Sequence, residues 1–200
     1  MTAPKRSAQA PSSAYVLHRY DWSESSLILD LFTRDQGRIA VAAKGAKRPY
    51  SQLRAVLLPF QRIHVTLGRV RTEASASDIH TLRGAEWAGG AAMLTGGALF
   101  SGFYLNELLM KLLARHDPHP ALFDAYAQVL PALAAPQDTS VQAALRAFEL
   151  TLLREVGVLP DLSLVTLTQQ PLQASHSYSL LPDAGVGALR GDVNPLNGTV

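Results

Sequence analysis

Residues 27–41 narrow the possible folds more than any other stretch. Leu27, Leu29 and Leu31 alternate with Ile28, Asp30 and Phe32, and Ile39 and Val41 follow a short polar connection. Apolar residues at every second position mark a strand with one well-buried face. Residues 33–38 supply the tight connection, and Gly37 can take the positive φ that such a turn asks for. This predicts a β-hairpin. Further short strands are expected at 14–19 and from about 56–60 onward, with Pro59 at an edge or entry. Gly68 marks a second reversal, between 62–67 and 69–71. Residues 73–81 fit either a last strand or a linker. Several short strands with basic ends and one long basic loop predict a small curled barrel.

Charge divides the chain. The net charge is only +2, yet residues 1–72 hold twelve Lys/Arg against four Asp/Glu, and residues 73–200 hold six against twelve. A basic module joined to an acidic one points to a polyanion partner for the first half. Chance clustering of solvated charges is the plainer alternative. Residues 42–54 lose the alternation and contain Gly45 and Pro49, so no regular element is expected there. Lys44, Lys47, Arg48 and Arg54 make this segment a mobile basic arm, suited to phosphate contacts, and Tyr50 within it is suited to stacking on a base. An ordinary soluble loop has the same composition. Arg19, Arg38, Arg62, Arg69 and Arg71 sit at strand positions or ends and extend the candidate phosphate-binding set. Tyr20 and Trp22 fit base stacking or the closing of a small core equally well.

The period changes near residue 85. Leu94, Ala98, Tyr104, Leu105, Leu108, Leu109 and Leu112 recur at three and four residues, as on a helix face. The segment 116–120 ends that helix. Leu122, Phe123, Tyr126, Val129, Leu130 and Leu133 describe a second helix, begun near Pro120 and closed before Pro136. Asp138 or Thr139 can cap a third, with Val141, Leu145, Phe148, Leu152 and Val156 as its stripe and Gly157 as its end. The expectation is an α+β protein, a β-barrel followed by an α-helical bundle. The domain expectation is a flexible tail at 1–13, a polyanion-binding barrel at 14–81, a helical domain at 86–165 and an irregular segment at 166–200.

Other classes find little support. There is no cysteine, which excludes disulfides and thiolate zinc sites and leaves the redox compartment open. The N-terminus has two charges and no apolar core, unlike a secretory signal. The apolar stretch 88–103 is rich in Gly and Ala and reads as a buried helix rather than a membrane span. A cytoplasmic protein with no membrane partner is expected. No phosphate-binding GxxxxGK[ST], HExxH or GxSxG motif is present. His116 and His119 flank Asp117 but lack further metal ligands. Asp21, Glu24, Asp30 and Asp35 fall in turns and on opposite strand faces, which suits charge balance better than a two-metal nuclease. No catalytic residue, metal or cofactor is expected.

At this point the motifs carry a resemblance. Residues 16–19 followed by SESSLILDLFT (23–33), Gly37-Arg38, AKGAKR (43–48) and Leu58-Pro59-Phe60 resemble the start of the bacterial RecO family of recombination mediators. Phe148-Glu149-Leu150, Leu152-Leu153 and Gly157 resemble that family's last bundle helix. The likeness covers roughly residues 14–165. It implies an N-terminal OB-fold, a helical domain and a non-enzymatic role in DNA repair. It further implies binding of single- and double-stranded DNA, annealing of complementary strands, and help in loading RecA on DNA coated with single-stranded DNA-binding protein. The implied partners are RecR, the C-terminal tail of single-stranded DNA-binding protein and, indirectly, RecA, at the nucleoid. Leu105 and Leu109 with Lys111 and Arg115 are the expected groove for that acidic tail, because basic groups there flank an apolar helical stripe. Many family members resemble one another in a cysteine zinc motif after the last helix. This chain has none, so a zinc site of that type is ruled out. A protein-interaction adaptor, whose basic face meets acidic protein tails, is the alternative function.

Overall fold

A computed structural model describes residues 11–68, 79–90, 93–134, 138–189 and 196–197. The chain divides into two compact units, Met1–Glu149 and Leu150–Val200. The first unit holds a closed barrel of five strands: β1 (Ser12–Asp21), β2 (Leu27–Thr33), β3 (Gly37–Ala43), β4 (Arg62–Leu67) and β5 (Ile79–Trp87). A short helix, α1 (Leu53–Val56), stands between β3 and β4. The order around the barrel is β1-β2-β3-β5-β4, with β3 and β5 parallel and every other pair antiparallel. This is an OB-like barrel, closed so that every strand has a paired neighbour on each side. Its interior is filled by Val16, Leu29, Leu31, Ile39, Val41, Ile63, Val65, Leu67 and Leu82.

The expected hairpin is β2–β3. Gly37 has φ +66°, and a Cβ there would collide with the backbone carbonyl of Asp117. Glycine is thus needed both for the turn and for the approach of a second segment. The buried Thr33 hydroxyl donates to the Gly37 carbonyl at 2.9 Å and accepts from the Gln36 N–H at 3.1 Å. One-sided burial was expected of this hairpin, but both faces are covered. Asp30, Phe32, Ala40 and Ala42 on the second face are also buried. Helix packing against the barrel explains this: Tyr15 and Phe32, neighbours across β1 and β2, meet Phe123 and Tyr126 with ring centroids 5.0–6.3 Å apart. Tilted and edge-on rings at such distances are favourable aromatic geometry.

The helices are α2 (Gly96–Leu112), α3 (Pro120–Leu133) and α4 (Asp138–Glu155). Pro120 sits in the first turn of α3, where its missing N–H leaves no hydrogen bond unmade. Gly157, with φ +76°, follows the end of α4 as expected. Two sequence expectations are corrected. The arm 42–54 was expected to lack regular structure, yet its end forms α1, whose Leu53 and Val56 pack on the barrel core. A four-residue helix is too short to leave a periodic signal. The C-terminal stretch 166–200, expected to be irregular, contains β6 (Ser177–Leu181), β7 (Gly185–Ala188) and β8 (Leu196–Asn197), a small antiparallel sheet in the second unit. Gly185, with φ +69°, opens β7, and a Cβ on it would strike the Thr166 side chain. Gly68, the expected second reversal, directly follows β4, while 69–71 and most of the expected strand or linker at 73–81 lie outside the described residues; its last residues, 79–81, begin β5. Besides β1, β4 pairs with β5, which runs to Trp87.

Candidate nucleic-acid interface

One end of the barrel, plugged by Ala46, Leu53 and Leu57, carries a surface groove. The groove, of about 640 Å³, is lined by Arg19, Asp21, Leu27, Ala46, Lys47, Leu53, Arg54, Leu57 and Leu58. Local geometry explains why the cations gather. In β1, Arg19 and Asp21 stand opposite Leu29 and Leu27 of β2, which face the barrel interior, so both turn into the mouth. Past β3 the chain turns back through Gly45, with φ +72°, and Lys47 N–H bonds to the Ser25 carbonyl at 3.0 Å. That bond ties the basic arm to the β1–β2 connection. Arg54 is presented by α1, whose apolar side forms the floor. The arm is therefore anchored rather than loose, and Leu27, Ala46, Leu53 and Leu57 seal its base.

Electrostatically the mouth has three cations and one carboxylate. Lys47 Nζ lies 3.0 Å from Asp21 and donates to the Ser23 carbonyl at 3.2 Å. Arg19 donates to the Leu57 carbonyl at 3.4 Å. Both cations keep donors for a further anion, since an ammonium has three N–H groups and a guanidinium five. Arg48 lies against Gly45, and Lys44, Arg48 and Arg54 are exposed. Tyr50 is 99% exposed at the tip of the arm. Backbone-directed cations without a matching base-edge array suit phosphate binding independent of base sequence.

The remaining expected DNA contacts lie elsewhere. Arg38 is on the outer face of β3, donates to the Met110 carbonyl, and faces the buried Asp30 at 3.8 Å. Arg115 reaches the same carboxylate at 3.4 Å. Arg38 is therefore a strut between the barrel and the last turns of α2. Arg62 lies opposite Tyr15, toward the beginning of β1 and away from the mouth, and donates to the Ser13 hydroxyl at 3.4 Å. Arg69 and Arg71 lie outside the described residues.

The expected tail groove also changes. Leu105 and Leu109 have no exposed surface, because they form the inward stripe of α2, so neither can line a surface groove. Lys111 is exposed and paired with Glu107 at 2.7 Å, and Arg115 is held partly by Asp30. Among the described residues, no three His, Asp or Glu side chains converge as a metal site would need. His119 pairs with Asp117 at 3.4 Å, while His116 meets the ring of His80. No described helix is long and apolar enough to cross a membrane.

Two family models match this chain: recombination protein O N terminal over residues 8–89, and recombination protein O C terminal over residues 93–194. The chain belongs to the RecO family. A RecO from Verminephrobacter eiseniae, a DNA repair protein by name, is 55% identical over 188 residues, which span 94% of this chain and 72% of that protein. The RecO of Variovorax paradoxus is 57% identical over 190 residues, spanning 93% of this chain and 71% of that one. That of Polaromonas sp. is 54% identical over 184 residues, 92% and 71% of the two chains. In RecO terms, the N-terminal model covers the whole barrel and its mouth. The C-terminal model covers all three long helices.

Proposed function

We propose that this RecO-family chain is a DNA repair and recombination mediator that holds DNA by its phosphates at the barrel mouth. The family acts in DNA repair and recombination, as a mediator and not as an enzyme. The observation that carries the phosphate reading is the convergence of Arg19, Lys47 and Arg54 on one groove with an apolar floor. Cations at such a site release condensed counterions when phosphates bind, and they screen two DNA strands from each other. Annealing of complementary strands follows from that screening. The mouth has no array that distinguishes single from double strands, so both are proposed ligands.

In this reading residues 14–81 and the rest of β5 are the DNA-binding domain. The helical domain, 86–165, meets RecR and the C-terminal tail of single-stranded DNA-binding protein, and RecA loading follows indirectly. Lys111 and Arg115, with the exposed Leu112 between them in sequence, are the proposed receivers of the acidic tail. Such a protein works in the cytoplasm, at the nucleoid.

The test is a salt series of fluorescence anisotropy with labelled oligonucleotides. Lys47→Ala with Arg54→Ala is expected to weaken every DNA sequence about equally and to lower the log–log salt slope by up to about two units. Wild-type affinity and slope in a variant that melts normally would remove the mouth as the DNA site. An acidic peptide that binds with this same dependence, where DNA does not, would put the adaptor reading in its place.

A further inference from the structure

β1 presents a second, different surface at the same end. Arg19 and Asp21 turn into the mouth, whereas His18 and Tyr20 stand opposite Asp30 and Ile28 and point out of the barrel. The His18 and Tyr20 rings lie 4.4 Å apart at 58°. Both residues are exposed, Tyr20 to 43%. Trp22, at the next position of the same parity, is 56% exposed. Among the described residues, His18 is the sole aromatic partner of Tyr20, and Trp22 has none. Three ring-bearing side chains at alternate positions are thus left in water beside a cationic groove. Isolated exposed apolar residues need no explanation, but a contiguous run does.

We propose that His18, Tyr20 and Trp22 form a stacking strip for the unpaired bases of single-stranded DNA, distinct from the phosphate site in the mouth. Charge favours this occupant: Arg19 lies between the first two rings in the chain, and Lys47 and Arg54 border the adjacent groove. A polyanion is therefore drawn to the place where the rings are exposed. Every base has a π-face, so such a strip is tolerant of sequence. Bases inside a duplex are already stacked and paired, so the strip accepts only unpaired ones. The mouth, which meets phosphates, makes no such distinction. One β-strand thereby offers a single strand on its outer face and phosphates of a second strand on its inner face. This gives annealing a geometric basis in a single barrel. Only the two-strand consequence rests on the mouth reading; the stacking itself does not.

The experiment uses the full chain with Trp87→Phe, which leaves Trp22 as the one tryptophan of the two in the sequence. Oligothymidylate is expected to quench Trp22 emission, and a blunt duplex of equal length is not. Tyr20→Ala is expected to weaken oligothymidylate about 5- to 150-fold at unchanged salt slope and to leave duplex affinity alone. Tyr20→Phe, which keeps the ring, is expected to bind as the parent does, and it carries the test with the quenching if the alanine variant fails to fold. Absence of quenching, or equal single-strand affinity in a folded Tyr20→Ala protein, overturns the strip. If Lys47→Ala with Arg54→Ala leaves duplex binding intact while quenching persists, the mouth reading falls and the strip stands.

Discussion

Asn106 Nδ2 donates to the Leu17 carbonyl at 2.9 Å, where β1 bulges between Val16 and His18. The bulge interrupts the ladder to β2, so that carbonyl needs a partner from elsewhere. The Tyr126 hydroxyl donates to Asn106 Oδ1 at 2.5 Å, and burial pushes its pKa well up, which keeps it a donor. One buried amide thus joins the barrel, α2 and α3. Asn106→Leu would leave two buried polar groups unpaired and is expected to cost about 2–5 kcal/mol. Tyr126→Phe leaves one and is expected to cost about 1–3 kcal/mol. Urea unfolding of both variants checks this; equal midpoints with wild type would show that the network contributes nothing.

Arg38 was expected to touch DNA, and its surroundings give it another task. Asp30 is buried, and its neighbours are Arg38 and Arg115. Removing one partner of a buried charge costs up to about 3–5 kcal/mol, less to the extent that the other takes over. Arg38→Met is therefore expected to lower the melting temperature clearly while leaving the DNA salt slope unchanged. A normal melt with a reduced slope would return Arg38 to the DNA-binding set.

Two glycines should respond in opposite directions. Gly37→Ala meets both a positive φ and the Asp117 carbonyl, and a loss of more than about 1 kcal/mol is expected. Gly97 is helical, with open space around the position of a Cβ. Gly97→Ala is expected to stabilise by about 0.5 kcal/mol, through the unfolded chain's lost freedom. Denaturant midpoints that move in the same direction for both would contradict the turn argument.

Arg34 on the β2–β3 turn grips Asp124 of α3 with two hydrogen bonds, at 3.1 and 2.9 Å. The hydrogen bonds from Arg34 hold the Asp124 carboxyl below its usual pKa. A carboxyl depressed in the folded state adds stability above its unfolded pKa, near 4. That stability is lost as pH falls through the folded value. Both groups are about half exposed, so solvent screening keeps the effect small. Asp124→Asn is expected to flatten this part of the acid limb and to change little at pH 7. Thermal melts from pH 7 down to 2 read it directly, and an unchanged acid limb would dismiss the clamp.

Local chemistry was enough to determine several features. The alternation at 27–41, the turn at Gly37 and the apolar stripes of α2, α3 and α4 are short-range patterns, so the hairpin and the helices were legible. So was the basic character of residues 44–54, because charge is a property of composition. The partition of those charges was not. Arg19, Lys47 and Arg54 converge because β1, the arm and α1 meet at one end of a closed barrel. Arg38 and Arg62, alike in sequence, are drawn off by Asp30 and Ser13. Leu105 and Leu109 share a helical stripe with residues that remain exposed, and only packing on the barrel decides which members disappear from water. The second buried face of β2 has the same origin. A period of two states that two faces exist, while the helices that cover one of them arrive from some ninety residues away, as the Leu17–Asn106 bond illustrates. Periodicity and charge are written along the chain; burial and pairing are set by whatever the fold brings alongside.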